Sequence, residues 1–145
     1  IGKHAHKIRG SRYEVKHLGH WVGHLLLVLG LWAFVALLLI HVFALNSIQG
    51  LTVGGLLIGM YVIADRHDLT MNALLSGLFM AALVFIVEQI FFVRLFPIDA
   101  ASFWQFDALS GFIIGGIPLE ELMWAAVVGF TIGPLYEWLR QYQLK

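Results

Sequence analysis

The sequence predicts an all-α integral membrane protein, a bundle of about four transmembrane helices. Of its 145 residues, 60% are hydrophobic and only 12% are charged, whereas soluble domains average about 45–50% apolar and about 25% charged residues. The mean hydropathy is +0.85, and long stretches lack Asp, Glu, Lys and Arg. At about 20 residues per span, the length accommodates four or five such helices. This composition excludes soluble enzymes, nucleic-acid-binding domains and disordered chains.

A basic segment, residues 1–16, precedes a single transmembrane domain, residues 17–145. The segment carries five Lys or Arg residues against the single acid Glu14. Because cytoplasmic loops of membrane proteins are rich in Lys and Arg, we expect the N-terminus to be cytoplasmic. The sequence contains no cysteine, which excludes disulfides, thiolate nucleophiles and cysteine-ligated metals.

Four runs with few or no charges predict the helices, at about residues 18–45, 50–65, 69–96 and 118–139. The polar turn that follows the first run has no basic residue, and the loop after the third is acidic, so both are expected outside the cytoplasm. Arg66 lies in the second loop and Arg140 near the end of the chain. Four helices with both termini in the cytoplasm satisfy this pattern.

The segment before the last helix, residues 100–117, is less regular. Phe103, Trp104 and Phe106 surround polar residues there, as in segments at the membrane interface. The segment is expected to be interfacial or re-entrant, and the alternative of a longer kinked helix stays open. Pro118 suits the first turn of a helix, where its missing N–H costs no hydrogen bond.

Small residues recur at the spacing that lets transmembrane helices approach closely. Four pairs have the G-x-x-x-G spacing: Gly19/Gly23, Gly55/Gly59, Gly111/Gly115 and Gly129/Gly133. Since lipid provides no hydrophobic drive between helices, such pairs indicate packing contacts. They predict a bundle and carry no information on function.

Three glutamates lie in apolar surroundings, where an ionisable residue costs at least about 2.5 kcal/mol at mid-depth. Glu120 and Glu121 open the last helix and project about 100° apart. They are either acids favoured by the helix dipole or include a buried proton donor. Glu88 is expected on the same side of the membrane, where it could share a proton with one of them. Alternatively, it pairs with Arg94 or with backbone for structure alone.

Histidines offer the only other chemistry that the sequence suggests. His17, His20 and His24 fall on one helical stripe that could bind a metal, although no carboxylate accompanies them. His41 has apolar neighbours and could ligate a pigment or bond a neighbouring helix. We assign no metal and no pigment ligand, and these histidines remain the candidates to inspect. Motifs for nucleotide, dinucleotide, zincin or serine-hydrolase chemistry do not occur in the sequence.

Residues 103–121 resemble the membrane lycopene cyclase domain, a carotenoid cyclase family of actinobacteria, archaea and fungi. The family hallmark is a P-x-E-E/D motif that opens a helix after a Trp-containing segment punctuated by glycine. Pro118, Glu120 and Glu121 match this motif. The resemblance covers roughly residues 71–140. The sequence departs from the family where Leu122-Met123-Trp124 replaces a Phe-rich stretch, and Glu88-Gln89 matches a late acidic residue only loosely.

The resemblance implies acid-catalysed, redox-neutral cyclisation of a carotenoid or isoprenoid end group in the inner membrane of a prokaryote, without a cofactor. It makes Glu120, Glu121 and Glu88 the candidate catalytic residues. The residues expected to contact the substrate are Pro118, Trp104, Trp124 and Phe130. An acid would protonate a double bond, and a base would remove a proton after the ring closes.

The resemblance also implies partners, because active cyclases of this type are built from two such domains. Besides the lipid bilayer and a carotenoid or other isoprenoid, we expect a second membrane subunit or a homo-oligomer, and no nucleic acid. The alternative is a non-catalytic transmembrane subunit of a larger membrane complex, such as one that binds a pigment or carotenoid.

Overall fold

The computed structural model describes residues 5–7, 18–104, 106–140 and 142–144. In chain order, the regular elements are β1 (Ala5–Lys7), α1 (Leu18–Phe43), α2 (Ser47–Asp65), α3 (Thr70–Glu88), α4 (Pro97–Phe103), β2 (Ile113–Ile114), β3 (Ile117–Pro118), α5 (Leu119–Arg140) and β4 (Tyr142–Leu144). A 3₁₀ turn, His67–Leu69, leads into α3, and a π-helical turn, Gln89–Leu95, extends it. β1 pairs antiparallel with β4, and β2 with β3.

Within the described residues, four helices are long and apolar enough to cross a membrane: Val22–Phe43, Ser47–Asp65, His67–Leu95 and Leu119–Leu139. Their outer surfaces are covered with large apolar side chains, such as the exposed Leu27, Leu78 and Phe79. In water such surfaces would aggregate, whereas lipid solvates them. The prediction of a four-helix membrane protein is therefore confirmed. The cytoplasmic location of both termini stays a prediction.

The helix α5 is the centre of the bundle, because it packs against both α2 and α3, while α1 packs mainly against α2. Glycines make these contacts close. Gly55 and Gly59 of α2 lie against α1 and α5 side chains, and Gly129 and Gly133 of α5 lie against Ser76 of α3. These two pairs confirm the packing role that their spacing predicts.

One buried hydroxyl fastens α5 to α2. Thr131 donates a hydrogen bond of 2.8 Å to the carbonyl of Gly55, and its side chain is fully buried. With no water in the bilayer core, such a bond between helices satisfies a polar group that would otherwise be unpaired.

The other two glycine pairs do not bring helices together in the described part of the chain, and the surroundings of Gly19 lie outside it. Gly23 has no atom within 4 Å of the position where a Cβ would stand. Gly111 and Gly115 lie outside the helices, and Gly115 and Gly116 form the turn between β2 and β3. Both have positive φ, 60° and 90°, as a two-residue type I′ hairpin turn requires.

The hairpin also settles the conformation of the segment before α5. Residues 113–118 are two short strands joined by a turn, so this stretch is not a kinked continuation of α5, and a re-entrant course of the segment stays a prediction. The helix itself begins at Leu119, directly after Pro118. The position of the segment at the membrane interface stays a prediction.

The second helix starts at Ser47, earlier than the predicted boundary near residue 50. Its N-cap is Asn46, whose side chain accepts a 2.8 Å hydrogen bond from the Gln49 N–H. The Gln49 side chain accepts in return from the Asn46 N–H at 3.3 Å. This reciprocal capping box satisfies two backbone donors. The predicted polar turn is thus the first turn of the helix.

Candidate active site

The three glutamates singled out in the sequence meet at one end of the bundle. Glu88 is the last residue of α3, and Glu120 and Glu121 lie in the first turn of the antiparallel α5. Glu88 is 9% exposed and Glu120 8% exposed, and Glu121 is half-buried. The carboxyl of Glu121 interacts electrostatically with those of Glu88 and Glu120. We call these three residues the carboxyl cluster.

Within the cluster, Glu120 is hydrogen-bonded to the segment that precedes its own helix. One of its oxygens accepts a hydrogen bond of 2.5 Å from the backbone N–H of Ser110. Its other oxygen is buried and has no hydrogen-bond partner among the described residues. Glu120 therefore fastens the segment that precedes the hairpin to the start of α5.

Glu88 and Glu121 differ from Glu120 in their surroundings. One oxygen of Glu88 is buried without a hydrogen-bond partner in the described part of the chain. In the same part of the chain, no Lys, Arg or His interacts with any member of the cluster. The alternative pairing of Glu88 with Arg94 is thus not formed there. Buried carboxyls of native proteins are normally paired, so an unpaired group calls for a functional explanation.

Trp104 covers the cluster. It is 7% exposed and packs edge-on against Phe92, with ring centroids 5.4 Å apart. Its buried indole N–H faces the Glu121 carboxyl without reaching the geometry of a full hydrogen bond. The structure thus places Trp104 beside Glu121, and its predicted contact with a substrate stays a prediction.

A small polar cavity of about 210 Å³ opens beside Glu121. Its wall is formed by Asn46, Ser47, Ile48, Trp104, Ala108, Leu109 and Glu121. Glu121 is the member of the cluster that lines this cavity. The wall combines a carboxyl, an aromatic ring and the start of α2, so it can hold a small group against the acid.

Three hydrogen bonds hold the chain between α3 and α5 in place, and the first of them joins two residues of the cavity wall. The Asn46 side chain donates to the carbonyl of Ala108 at 2.7 Å. The Gln89 side chain donates to the carbonyl of Gly115 at the hairpin turn. The Leu119 N–H donates to the carbonyl of Phe112 at 2.9 Å. Sequence reasoning missed Asn46 and Gln89 as parts of the site, although the capping-box pattern of Asn46 was readable.

The π-helical turn Gln89–Leu95 begins directly after Glu88. A π turn widens the helix by one residue, and such turns are frequent at functional sites. It brings Gln89 onto the hairpin and Phe92 onto Trp104. No residue pattern in the sequence indicated it.

The remaining predicted substrate contacts lie at different distances from the cluster. Pro118 is fully buried directly before α5. Trp124, one turn beyond the two acids, packs on Trp32 with ring centroids 5.6 Å apart. Phe130 lies about 14 Å along the helix from Glu121 and contacts Gly59 and Gly77. Their roles toward a substrate stay predictions.

The histidines give no site in the described part of the chain. His17 lies outside the described residues, and so does the side chain of His20. His24 is exposed. The ring of His41 lies 2.8 Å from the carbonyl of Leu37 in its own helix. Among the described residues, no group of three or more His, Asp or Glu could hold a metal ion.

The opposite end of the bundle also holds acids, but around a cation. Arg66 is 8% exposed, and two of its nitrogens donate to the two oxygens of Asp68 at 2.8 and 2.6 Å. These hydrogen bonds raise the pKa of Arg66, and the charges of Asp65 and Glu137 add to the effect. Asp65 also accepts a 2.7 Å hydrogen bond from the Trp138 indole. We call this group the arginine cluster.

Fold and site together define a helical membrane protein with an unneutralised group of acids at one end. A family model described as lycopene cyclase matches residues 46–139, which is more than half of the chain. The chain belongs to the lycopene cyclase family, as the P-x-E-E motif predicted. The matched region includes the whole carboxyl cluster and leaves out α1. Neither the curated proteins nor the solved structures that were compared contain a match.

Proposed function

We propose that this chain catalyses the redox-neutral cyclisation of the linear end group of a carotenoid, together with a second membrane subunit or a second copy of itself. The observation that carries the proposal is the position of Glu121. It lines the cavity beside Trp104 and is coupled to the buried Glu88. Membership of the lycopene cyclase family supports the class of reaction.

The proton donor in this proposal is the pair Glu88–Glu121. Two carboxylates held close together without a cation repel each other, and burial makes each anion costly. A single shared proton removes most of that cost, so the pair titrates as one unit. Glu121 delivers the proton because it faces the cavity, and Glu88 supports it from behind.

The reaction then needs no redox partner. Glu121 protonates a terminal carbon–carbon double bond, which forms a new C–H bond and a carbocation. The electron pair of a neighbouring double bond attacks that carbocation, so a ring-closing C–C bond forms and the positive charge moves into the ring. Loss of a proton from an adjacent carbon to the Glu88–Glu121 carboxylate restores a double bond and recharges the acid. Substrate and product are isomers.

Two neighbours support this chemistry. The Trp104 ring lies beside the cavity, where an aromatic face stabilises a cation. Glu120 is a positioning residue, because it holds the segment that precedes the hairpin and thereby the cavity wall. The distribution of Lys and Arg favours the extracytoplasmic side of the membrane for the cavity, and the family resemblance implies the inner membrane of a prokaryote.

The test is expression in a host that accumulates lycopene, alone and together with a second single-domain family member. The wild-type chain should yield ringed carotenoids in at least one of these pairings, measured by chromatography and absorbance. Glu121→Gln should abolish them. Glu137→Gln, a glutamate of the same helix in the arginine cluster, is the matched control and should retain them.

Two results would count against the proposal. Ring formation that survives in Glu121→Gln would show that the proton comes from another group. A chain that yields no rings in any pairing, although it is produced and folded, would overturn the catalytic proposal and favour the alternative of a non-catalytic membrane subunit.

A further inference from the structure

A second, larger cavity lies on the outer surface of the helix pair α3 and α5. Its volume is about 430 Å³, and its wall is formed by Leu75, Ser76, Phe79, Met80, Val128, Gly129, Ile132 and Gly133. This volume is within the range of about 300–1,000 Å³ found for small-molecule sites. Leu75 and Phe79 are exposed, 58% and 66%, so the cavity is a groove that opens onto the lipid-facing surface. We call it the α3–α5 groove.

The floor of the groove is built closely. A Cβ at Gly129 would collide with the backbone of Ser76 and the side chain of Met80, and a Cβ at Gly133 with the side chain of Ser76. The helices therefore touch along the bottom, and the larger side chains stand up on either side. Such a floor resists collapse, because the two backbones are already in contact.

The wall is apolar in character. The hydroxyl of Ser76 is 3.1 Å from the side-chain oxygen of Asn72 and donates to it, so its hydrogen bond is made outside the groove. Phe79 and Met80 contribute an aromatic ring and a thioether, which are polarisable and make favourable contacts with π systems. A groove of this kind suits a long apolar chain with conjugated double bonds.

The groove is aligned with the candidate acid. Val128 and Ile132 follow Glu121 by two and three helical turns and lie within about 20° of it on the face of α5. Gly133, at the far end, is about 18 Å from Glu121 along the helix axis. A rigid linear molecule with one end at Glu121 would therefore lie along the groove.

We propose that the α3–α5 groove binds the linear polyene chain of the substrate whose end group lies at Glu121. The inference rests on the proposed cyclase function, since it takes the acid as the place of the end group. It adds a chain-binding site on the lipid-facing side of the bundle, remote from the residues that carry the chemistry.

The experiment uses the full chain in lipid nanodiscs, with all-trans lycopene as the probe. Retained lycopene per protein is measured by absorbance after affinity capture. Leu75→Trp places an indole in the groove without entering the helix contact and should retain roughly tenfold less lycopene, equivalent to about 1.4 kcal/mol. Leu74→Trp is the matched control, because Leu74 is similarly exposed on the same helix, 53%, and is not among the residues that line the groove. It should bind like wild type.

Ile132→Trp fills the groove from α5 and provides a second route should Leu75→Trp fail to fold. Equal retention by folded groove variants and wild type would overturn the proposal. So would equal competition by a fully saturated chain of the same length, which would make the groove a crevice for any lipid tail.

The outcomes separate this inference from the proposed function. If lycopene binding depends on the groove residues but no pairing yields ringed carotenoids, the groove proposal stands and the proposed cyclase function is rejected. If Glu121→Gln loses ring formation while Leu75→Trp forms rings at the wild-type rate, the groove proposal is rejected and the proposed cyclase function stands. Glu121→Gln itself should still bind lycopene, because it changes none of the groove wall.

Discussion

The two ends of the bundle hold the same type of side chain in opposite electrostatic settings. In the arginine cluster, Asp65, Asp68 and Glu137 surround the buried Arg66. In the carboxyl cluster, the described residues provide three glutamates and no cation. Asp68, which pairs directly with Arg66, is neutralised by it and serves the fold. Carboxylates that have no nearby arginine must bind a proton to become neutral.

The helix α5 shows the difference within one element. Glu121 in its first turn faces a cavity and another acid, whereas Glu137 near its end lies within the field of Arg66. Residue type and helix are the same at both positions. Each has acidic or polar neighbours of its own, and only Glu137 has a nearby cation among the described residues.

After the complete loss of rings expected for Glu121→Gln, the largest effect is expected at Glu88, the acid behind Glu121. Glu88→Gln keeps the shape of the side chain and removes the partner that shares the proton. Cyclisation should fall by about 100-fold, equivalent to roughly 2.7 kcal/mol in the barrier. The rate of ring formation in membranes from the lycopene-producing host measures this.

The same variant should be as stable as wild type or more stable, because a buried unpaired acid becomes a neutral amide. Thermal unfolding in detergent measures that effect. If Glu88→Gln is strongly destabilised but cyclises at the wild-type rate per folded molecule, Glu88 is a structural residue. The acids at the two ends of the bundle would then have the same role.

The next effect is expected at Arg66, where the opposite pattern should hold. Arg66→Met removes the buried cation that the described residues place among these acids and leaves Asp65, Asp68 and Glu137 without it. Because Asp68 is partly exposed, we expect a loss of about 2 kcal/mol in unfolding free energy, below the full cost of a buried pair. Cyclisation per folded molecule should be unchanged.

Denaturant or thermal unfolding of the purified chain checks this prediction. Arg94→Met is the control, since Arg94 is exposed near the other end and its removal should have little effect. Equal stability of Arg66→Met and wild type would show that the acids at that end do not depend on the arginine.

A smaller contrast is expected between two tryptophans. Trp104→Phe retains a ring beside the cavity but loses the N–H that faces Glu121, and should slow cyclisation by about fivefold to tenfold, near 1 kcal/mol. Trp138→Phe loses the hydrogen bond to Asp65 and should cost about 1 kcal/mol of stability with a normal rate. Rate and unfolding measured on both variants check the pair. A slow Trp138→Phe or a normal Trp104→Phe would contradict it.

The smallest effect is expected from a substitution in the middle of the bundle, between the two clusters. Thr131→Val removes the hydrogen bond to the Gly55 carbonyl and should reduce the unfolding free energy by about 0.6 kcal/mol. The substitution lies at neither end of the bundle, so the rate of cyclisation and the ion pair of the arginine cluster should both be nearly unchanged. A large loss would show that this bond, and not the close glycine contacts, holds α2 to α5.

The helices were predictable from sequence because lipid demands long apolar runs with internally satisfied backbone. The P-x-E-E motif also led correctly to the family. The hairpin was missed, although Gly115-Gly116 between apolar residues is a turn signal, because its apolar flanks resemble membrane sequence. The start of α2 was missed since the polar residues of its capping box were taken as a loop.

The internal geometry of the site depended on contacts that no local pattern encodes. Glu121 and Trp104 are separated by a helix start and a hairpin, and Glu88 joins them from another helix. The π turn after Glu88 sets which side of α3 meets the hairpin, and its formation has no residue signature. The direction in which Trp124 and Phe130 point likewise depends on the rotation of α5 within the bundle.

The central claim is that the Glu88–Glu121 pair holds a proton at neutral pH, whereas the acids of the arginine cluster stay ionised beside Arg66. Infrared spectroscopy of the full chain in lipid at neutral pH tests this directly, through the carbonyl stretch of a protonated carboxylic acid. We predict that the wild-type chain shows this band, that Glu121→Gln and Glu88→Gln lose it, and that Glu137→Gln keeps it. A wild-type spectrum without the band, or a band that disappears only in Glu137→Gln, would contradict the account.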